Sequence, residues 1–471
     1  MKSLLETRLY SVDRMLKPGE EEGEIPPHSQ IYRNFFKVGW PSALEAVLVS
    51  LVGMVDTVMV SGLGEEAIDA VGITNQPKFI LLAAIMSLNV GVTAVVARRK
   101  GQEKQKSANR CLMQCMLVSG AIAILMSVLG FIFAPQIISV MGANEDYFND
   151  AVLYFRILMC SIPFTGLNLT INAAQRGVGK TKISMVTNLI ANLVNLVFNY
   201  LLINGIGIFP KLGVAGAAIA TGLGALTACI IAFFTLLRPG GYLTILHTKL
   251  KDWKFDSATM RTVANISSSA LVEQAFMRIG FLVYNMMVAR LGTLDYATHL
   301  ICMNILNLSF SFGDGFGVAA SSLVGQSLGA KRPDLAKIYG KTGQRIACSI
   351  SFLLCVIFLV FRYQFMGWFT NDPGVISLGG IIMCLVSGIT FAQTSQVVIS
   401  GCLRGAGDTR FVALVSMISI TFVRPFLTWL LCFPMGYGLI GAWVGVAIDQ
   451  VIRLVMNYWR FNQGKWKYIQ I

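Results

Sequence analysis

The chain has 471 residues, 55% of them hydrophobic and only 13% charged, with a mean hydropathy of +0.65. Soluble proteins carry about 25% charged residues, so this composition excludes a water-soluble fold. The formal charge is +14, but the basic residues are spread over short loops between apolar stretches instead of gathering on one domain, which excludes a nucleic-acid partner.

The first thirty residues contain no apolar core of a cleaved signal peptide. Leu5, Leu9, Val12 and Leu16 share a helical face beside Lys2, Arg8, Arg14 and Lys17, a pattern that predicts a short helix lying on the inner leaflet. The acidic stretch Glu20 to Glu24 reads as linker. Twelve apolar segments follow, among them Val38 to Val60, Cys111 to Ala134 and Ile346 to Phe369, each reaching the roughly 20 residues that cross a hydrocarbon core. The expected fold is an all-α integral membrane protein with twelve transmembrane helices, here numbered spans 1 to 12.

Loop charges set the orientation. Arg98 to Arg110 carries six basic residues against Glu103, whereas the preceding loop holds Glu65, Glu66 and Asp69 with no basic residue, and this alternation continues along the chain. The positive-inside rule then places both termini in the cytoplasm of a cell with this multi-pass protein in its plasma or inner membrane.

Carboxylates within spans are costly, roughly 2.5 to 3.5 kcal/mol at a helix centre, so each one demands a reason. Span 1 carries Glu45 and Asp56, eleven residues or about three turns apart, on nearly one face. Asp56 also admits the plainer reading of an interfacial acid near a helix end. Lys78 follows beside Pro77 in span 2, placed either to snorkel outward or to answer Asp56. Span 5 repeats asparagine at Asn188, Asn192, Asn195 and Asn199 along one helical stripe that cannot face lipid, suited equally to holding a cation and to joining helices. Span 7 holds Glu273, with Arg278 five residues on as an internal counter-charge, and span 8 holds Asp314 among glycines. Arg424 lies in span 11, and in span 12 Asp449 and Arg453 are spaced for an i,i+4 ion pair.

Ala174 to Thr181 satisfies a relaxed phosphate-loop pattern, but it joins two spans instead of a strand and a helix, and ATP as direct fuel is excluded. The ten cysteines form no CxxC pair, and His28, His247 and His299 form neither a metal spacing nor a nucleophile and base pair. No catalytic residue and no metal site is expected, and the chain is not expected to be an enzyme.

The second half repeats the first. A single shift of 228 residues (273 − 45 = 228) pairs Glu45 with Glu273, Leu63-Gly64 with Leu291-Gly292, Gly101 with Gly329, and Arg176-Gly177 with Arg404-Gly405. Each half has an even number of spans, so the halves insert with one orientation, related by a pseudo-twofold along the membrane normal. The expected organisation is an N-terminal segment over 1–36, a six-helix bundle over 37–238, a cytoplasmic linker over 239–261, a second bundle over 262–462 and a tail over 463–471.

Val55-Asp56-Thr57 in span 1, the VARRKGQ stretch ending span 2 and the paired RGxGxT loops after spans 4 and 10 together resemble the multidrug and toxic compound extrusion (MATE) family, over about Asn34 to Phe461. The resemblance implies a V-shaped pair of bundles that exports small amphipathic or cationic organic compounds by alternating access, in exchange for H+ or Na+. The coupling ion is then the only cofactor-like partner, besides the exported small molecule and the lipid bilayer, and the transporter is expected to be a monomer. It implies that Asp56, Asn195 and Asn199, with Tyr154, Asn168 and Thr221 nearby, form a cation site in the first bundle, and that Glu273 takes the corresponding role in the second. Two positions depart from the family's patterns: Asn199 stands where proton-coupled members carry aspartate, and Gln393 stands where sodium-coupled members do. A lipid-linked oligosaccharide flippase of the same superfamily is the alternative, ahead of an integral-membrane lipid-modifying enzyme.

Overall fold

A computed structural model describes residues 15–16, 19–246 and 256–469. The predicted surface helix, Leu16 apart, and residues 247–255 of the predicted linker lie outside the described residues.

The long helices are His28–Ser61 (span 1), Glu65–Gly101 (span 2), Gln105–Ile132 (span 3), Glu145–Gly177 (span 4), Thr181–Asn204 (span 5), Gly213–Leu236 (span 6), Ser257–Ala289 (span 7), Thr293–Gly329 (span 8), Pro333–Val360 (span 9), Pro373–Ala406 (span 10), Thr409–Cys432 (span 11) and Gly438–Gln463 (span 12). Eleven of them are both long and apolar enough to cross a membrane. The remaining one, span 8, has 37 residues, and Asn304, Asn307, Asp314 and its serines and glycines keep its hydropathy below that of its neighbours.

The internal repeat extends to the backbone. Spans 2 and 8 begin at Glu65 and Thr293, spans 3 and 9 at Gln105 and Pro333, and each half inserts a short helix after its third span, at Ala134–Val140 and Arg362–Gly367. The turns after spans 2 and 8 each place a non-glycine residue in left-handed backbone, Glu103 at φ 58° and Lys331 at φ 57°. The second glycine of each RGxGxT loop is left-handed too, Gly179 at φ 80° and Gly407 at φ 89°, which only glycine adopts without strain. The first glycine does different work. A Cβ on Gly177 would lie 2.9 Å from the Thr93 carbonyl oxygen, and one on Gly405 would collide with that of Ser321, so these glycines let span 4 close on span 2 and span 10 on span 8.

The chain packs as two compact units, Glu45–Ser268 and the described residues on either side of it. These boundaries cut spans 1 and 7, where the sequence places the divisions at 36/37 and over the linker at 239–261. Packing explains the difference. The first turns of span 1 join the second unit, Phe35 stacking on Phe316 with ring centroids 6.3 Å apart and Gly39 lying under the same ring. The first turns of span 7 join the first unit, Val263 and Ser267 closing on Gly91 of span 2.

Span 7 starts at an aspartate cap. Asp256 accepts from the Ala258 amide at 3.2 Å and from the Thr259 hydroxyl at 2.8 Å. The Thr259 hydrogen bond holds this carboxyl below its ordinary range, so the cap is charged at neutral pH and is lost only as acid titrates the folded carboxyl. Asp256→Ala is expected to cost about 1 kcal/mol at pH 7, measured as a fall in unfolding temperature that vanishes when the comparison is repeated in strong acid.

Candidate cation site

Spans 1 and 5 run in the same direction and meet at two rungs. At one, the Asn188 amide nitrogen donates to Glu45 Oε1 at 2.5 Å; at the other, Asn199 donates to Asp56 Oδ1. The rungs are eleven residues apart on both helices, about 16 Å at ~1.5 Å per residue. The eleven-residue spacing of acids on span 1 is thus matched by the eleven-residue spacing of amides on span 5.

The Asp56 rung collects four further polar groups. The Asn195 amide donates to Thr221 Oγ1 at 3.3 Å, Thr221 is hydrogen-bonded to the buried Tyr154 phenol, and Tyr154 and Lys78 both lie within electrostatic reach of Asp56. Asp56 is half-buried while Asn199 is fully buried. The Asn199 carbonyl Oδ1 has no hydrogen-bond partner among the described residues. A carboxylate, an orphaned amide oxygen and two hydroxyls form a hard oxygen set of the type that holds a small cation, either a hydrated metal ion or a proton on the carboxyl. The Lys78 amine stands beside them.

The Glu45 rung is chemically different. Glu45, 5% exposed, receives Arg176 Nη2 at 2.5 Å as well as Asn188, and Asn188 Oδ1 in turn accepts from Asn168, whose own Oδ1 accepts from Asn172 at 2.9 Å. Here Glu45 is neutralised by an arginine, and Asn168, which the resemblance puts near Asp56, belongs to this second network. Both ends of the amide stripe are thus in contact with span 1. Asn188 and Asn199 both join helices, and the Asn199 Oδ1 is left without a partner among the described residues.

In the second unit Glu273, 3% exposed, pairs with Arg404 at 2.7 Å. This is the repeat copy of the Glu45–Arg176 pair, in place of the Arg278 partner that local spacing offers. Gln393 accepts from Ser309 at 3.1 Å on span 8. The expected Asp449–Arg453 pair is present at 3.1 Å, joined by Arg424 at 2.5 Å, a partner that sequence spacing does not reveal because it comes from another helix. Among the described residues no cluster of histidine, cysteine and carboxylate groups could hold a transition metal.

The MatE family pattern matches residues 41–201 and 270–430, one copy in each half of the chain. The chain belongs to the MatE family. MATE proteins are transporters, so this one is a multi-pass membrane transporter and not an enzyme. It is 24% identical over 433 residues to the uncharacterized transporter YisQ of Bacillus subtilis, covering 92% of this chain and 94% of that protein. It is likewise 24% identical to the probable multidrug resistance protein NorM of Thermotoga maritima, covering 97% of each. Among solved folds it superposes with a TM-score of 0.85 and 19% identity on the outward-facing conformation of a multidrug resistance MATE transporter of the MOP superfamily, covering 94% of this chain and all of that one. The expected MATE resemblance and the twelve-helix fold class are both borne out.

Proposed function

We propose that this transporter exports small amphipathic or cationic organic compounds from the cytoplasm, in exchange for an inward-moving H+ or Na+ bound at the Asp56 rung. The observation that carries the reading is the pairing of Asp56 with an Asn199 whose buried carbonyl oxygen is left without a partner, an acceptor pair open to a cation. Relatives named for multidrug resistance match 91% to 97% of the chain and support the export reading. The charge alternation of the loops supports cytoplasmic termini. Glu45 and Glu273 each hold an arginine, so Asp56 is the intramembrane acid best placed to exchange its counter-charge during a cycle.

Alternating access follows from the chemistry of that carboxyl. A cation arriving from outside neutralises Asp56 and favours the state that releases the exported compound; discharge of the cation to the cytoplasm restores the charge. Adaptable contact surface for varied substrates comes from the chain's 29 phenylalanines and 21 methionines. The test is efflux of a fluorescent cationic dye from proteoliposomes holding the purified protein as a monomer, with proton and sodium gradients imposed separately. Dye movement driven by one gradient identifies the coupling ion. If neither gradient moves any of several dyes, the exporter reading fails, and transbilayer movement of a lipid-linked oligosaccharide becomes the assay.

A further inference from the structure

The second unit contains a buried cluster that the proposed cation cycle does not use. Five charged side chains run through it: Arg404 pairs with Glu273, Arg453 lies within electrostatic reach of Glu273 and bonds Asp449, and Arg424 bonds Asp449 from the other side. Three guanidiniums therefore face two carboxylates. Asp449 is fully buried and its oxygens are already committed, Oδ1 to the Ser419 hydroxyl at 2.5 Å and Oδ2 to both arginines. Arg424 and Arg453 are 2% and 7% exposed, and the Nε of each has no partner among the described residues. Glu273 is committed to Arg404, whose side chain is 33% exposed, so among the buried groups Asp449 alone answers Arg424 and Arg453 and one positive charge is left over.

Beside that charge stand further groups without partners. Tyr284, His299 and Trp443 are almost wholly buried, with His299 between the other two at ring-centroid distances of 5.4 Å from Tyr284 and 5.5 Å from Trp443. The Arg424 guanidinium carbon lies 5.6 Å from the centre of the Tyr284 ring. The Tyr284 hydroxyl, both His299 ring nitrogens and the Trp443 indole nitrogen have no hydrogen-bond partner among the described residues. The indole and the arginine Nε groups can only donate, and the phenol and imidazole can donate. Leaving so many buried donors unpaired would cost about 1 to 3 kcal/mol each. Water can accept from some of them, but water does not neutralise the second buried guanidinium.

Local backbone supports a built site. Span 11 is wound as a π-helix over Ile418–Val423, directly before Arg424 and Pro425. Pro425 removes a helical donor, Thr421 bonds the Phe276 carbonyl of span 7, and Gly280 accommodates the displaced Ile420 carbonyl, which a Cβ there would meet at 2.5 Å. Such π-turns are held by surrounding contacts and recur at functional sites. Here the turn carries Ser419 and delivers Arg424 to Asp449.

We propose that Arg424, Arg453, Tyr284, His299 and Trp443 bind a small monoanion inside the second unit, a halide or the carboxylate of an organic anion. The site is distinct from the Asp56 rung and does not depend on its role.

The test uses the full-length protein purified in nonionic detergent and exchanged into sodium MES. Unfolding temperature is followed while sodium chloride and, separately, sodium acetate are added. A ligand that binds only the folded state gives a saturable rise. Response to chloride alone assigns the site to a halide, and response to acetate assigns it to carboxylates. Arg424→Gln removes the surplus charge and is expected to weaken the midpoint by at least about tenfold, whereas Asp449→Asn adds a second uncompensated charge and is expected to tighten it by a similar factor. A gain of affinity cannot arise from misfolding, so the second variant guards the first. The absence of a saturable response to either anion in the wild type, or a shift in the same direction for both variants, overturns the proposal.

Discussion

Asp56→Asn is expected to abolish gradient-driven efflux while leaving the protein folded and able to bind dye. The replacement is nearly isosteric, and an amide at this position keeps a hydrogen bond with Asn199, so the helix contact survives while the ionisable group is gone. The size of the effect follows from the coupling. One pH unit across the membrane is worth about 1.4 kcal/mol, which supports a roughly tenfold dye gradient in one-for-one exchange. Without Asp56 that ratio is expected to fall to one at the same imposed gradient, with equilibrium dye binding in detergent changed less than about threefold. A companion variant separates the two coupling ions. Asn199→Asp sets a second carboxyl against Asp56, and two carboxyls in hydrogen-bond contact share a proton because both cannot be ionised together. That variant is expected to be driven by a proton gradient even if the wild type responds only to sodium. Retention of full gradient-driven efflux by Asp56→Asn would remove the Asp56 rung from the mechanism.

The features legible in the sequence are those written as spacing. The repeat register, the amide stripe of span 5 and the shared face of Glu45 and Asp56 all depend on helical periodicity, and each reappears as a contact. The Asp449–Arg453 pair was legible for the same reason. Contacts between helices distant in sequence were not. Glu273 and Arg278 are five residues apart, which at about 100° per residue points them to different sides of span 7, while Arg404, 131 positions away, reaches the carboxylate. The register already held the clue, since Arg176 and Arg404 are repeat partners just as Glu45 and Glu273 are. Asn168 was misplaced for a similar reason: its neighbour Asn172 and its partner Asn188 are set by how span 4 crosses span 5. The unit boundaries inside spans 1 and 7 were illegible because they depend on which neighbours the first turns of each helix meet.

The two repeat-related ion pairs are expected to differ in what they contribute, despite their shared geometry. Arg176→Ala leaves Glu45 buried with Asn188 as its remaining hydrogen-bond donor among the described residues and with Oε2 already lacking a partner there. Removing one member of a buried pair costs about 3 to 5 kcal/mol, and because the Arg176 side chain is 27% exposed the lower end of that range applies. Arg404→Ala strips Glu273 in the same way, but Arg453 stands within electrostatic reach and compensates part of the stranded charge. Its loss is therefore expected to be the smaller of the two, by at least about 1 kcal/mol. Unfolding temperatures of the two variants in detergent test the order, and the double variants Glu45→Gln with Arg176→Gln and Glu273→Gln with Arg404→Gln test the cause. If the single-variant cost is a stranded carboxylate, each double variant recovers most of the lost stability, since replacing both partners removes the uncompensated charge. If the arginines matter instead for packing span 4 and span 10 against their neighbours, the doubles stay as unstable as the singles. Recovery in both units would make these pairs structural anchors set by the duplication, leaving Asp56 as the acid free to exchange its counter-ion.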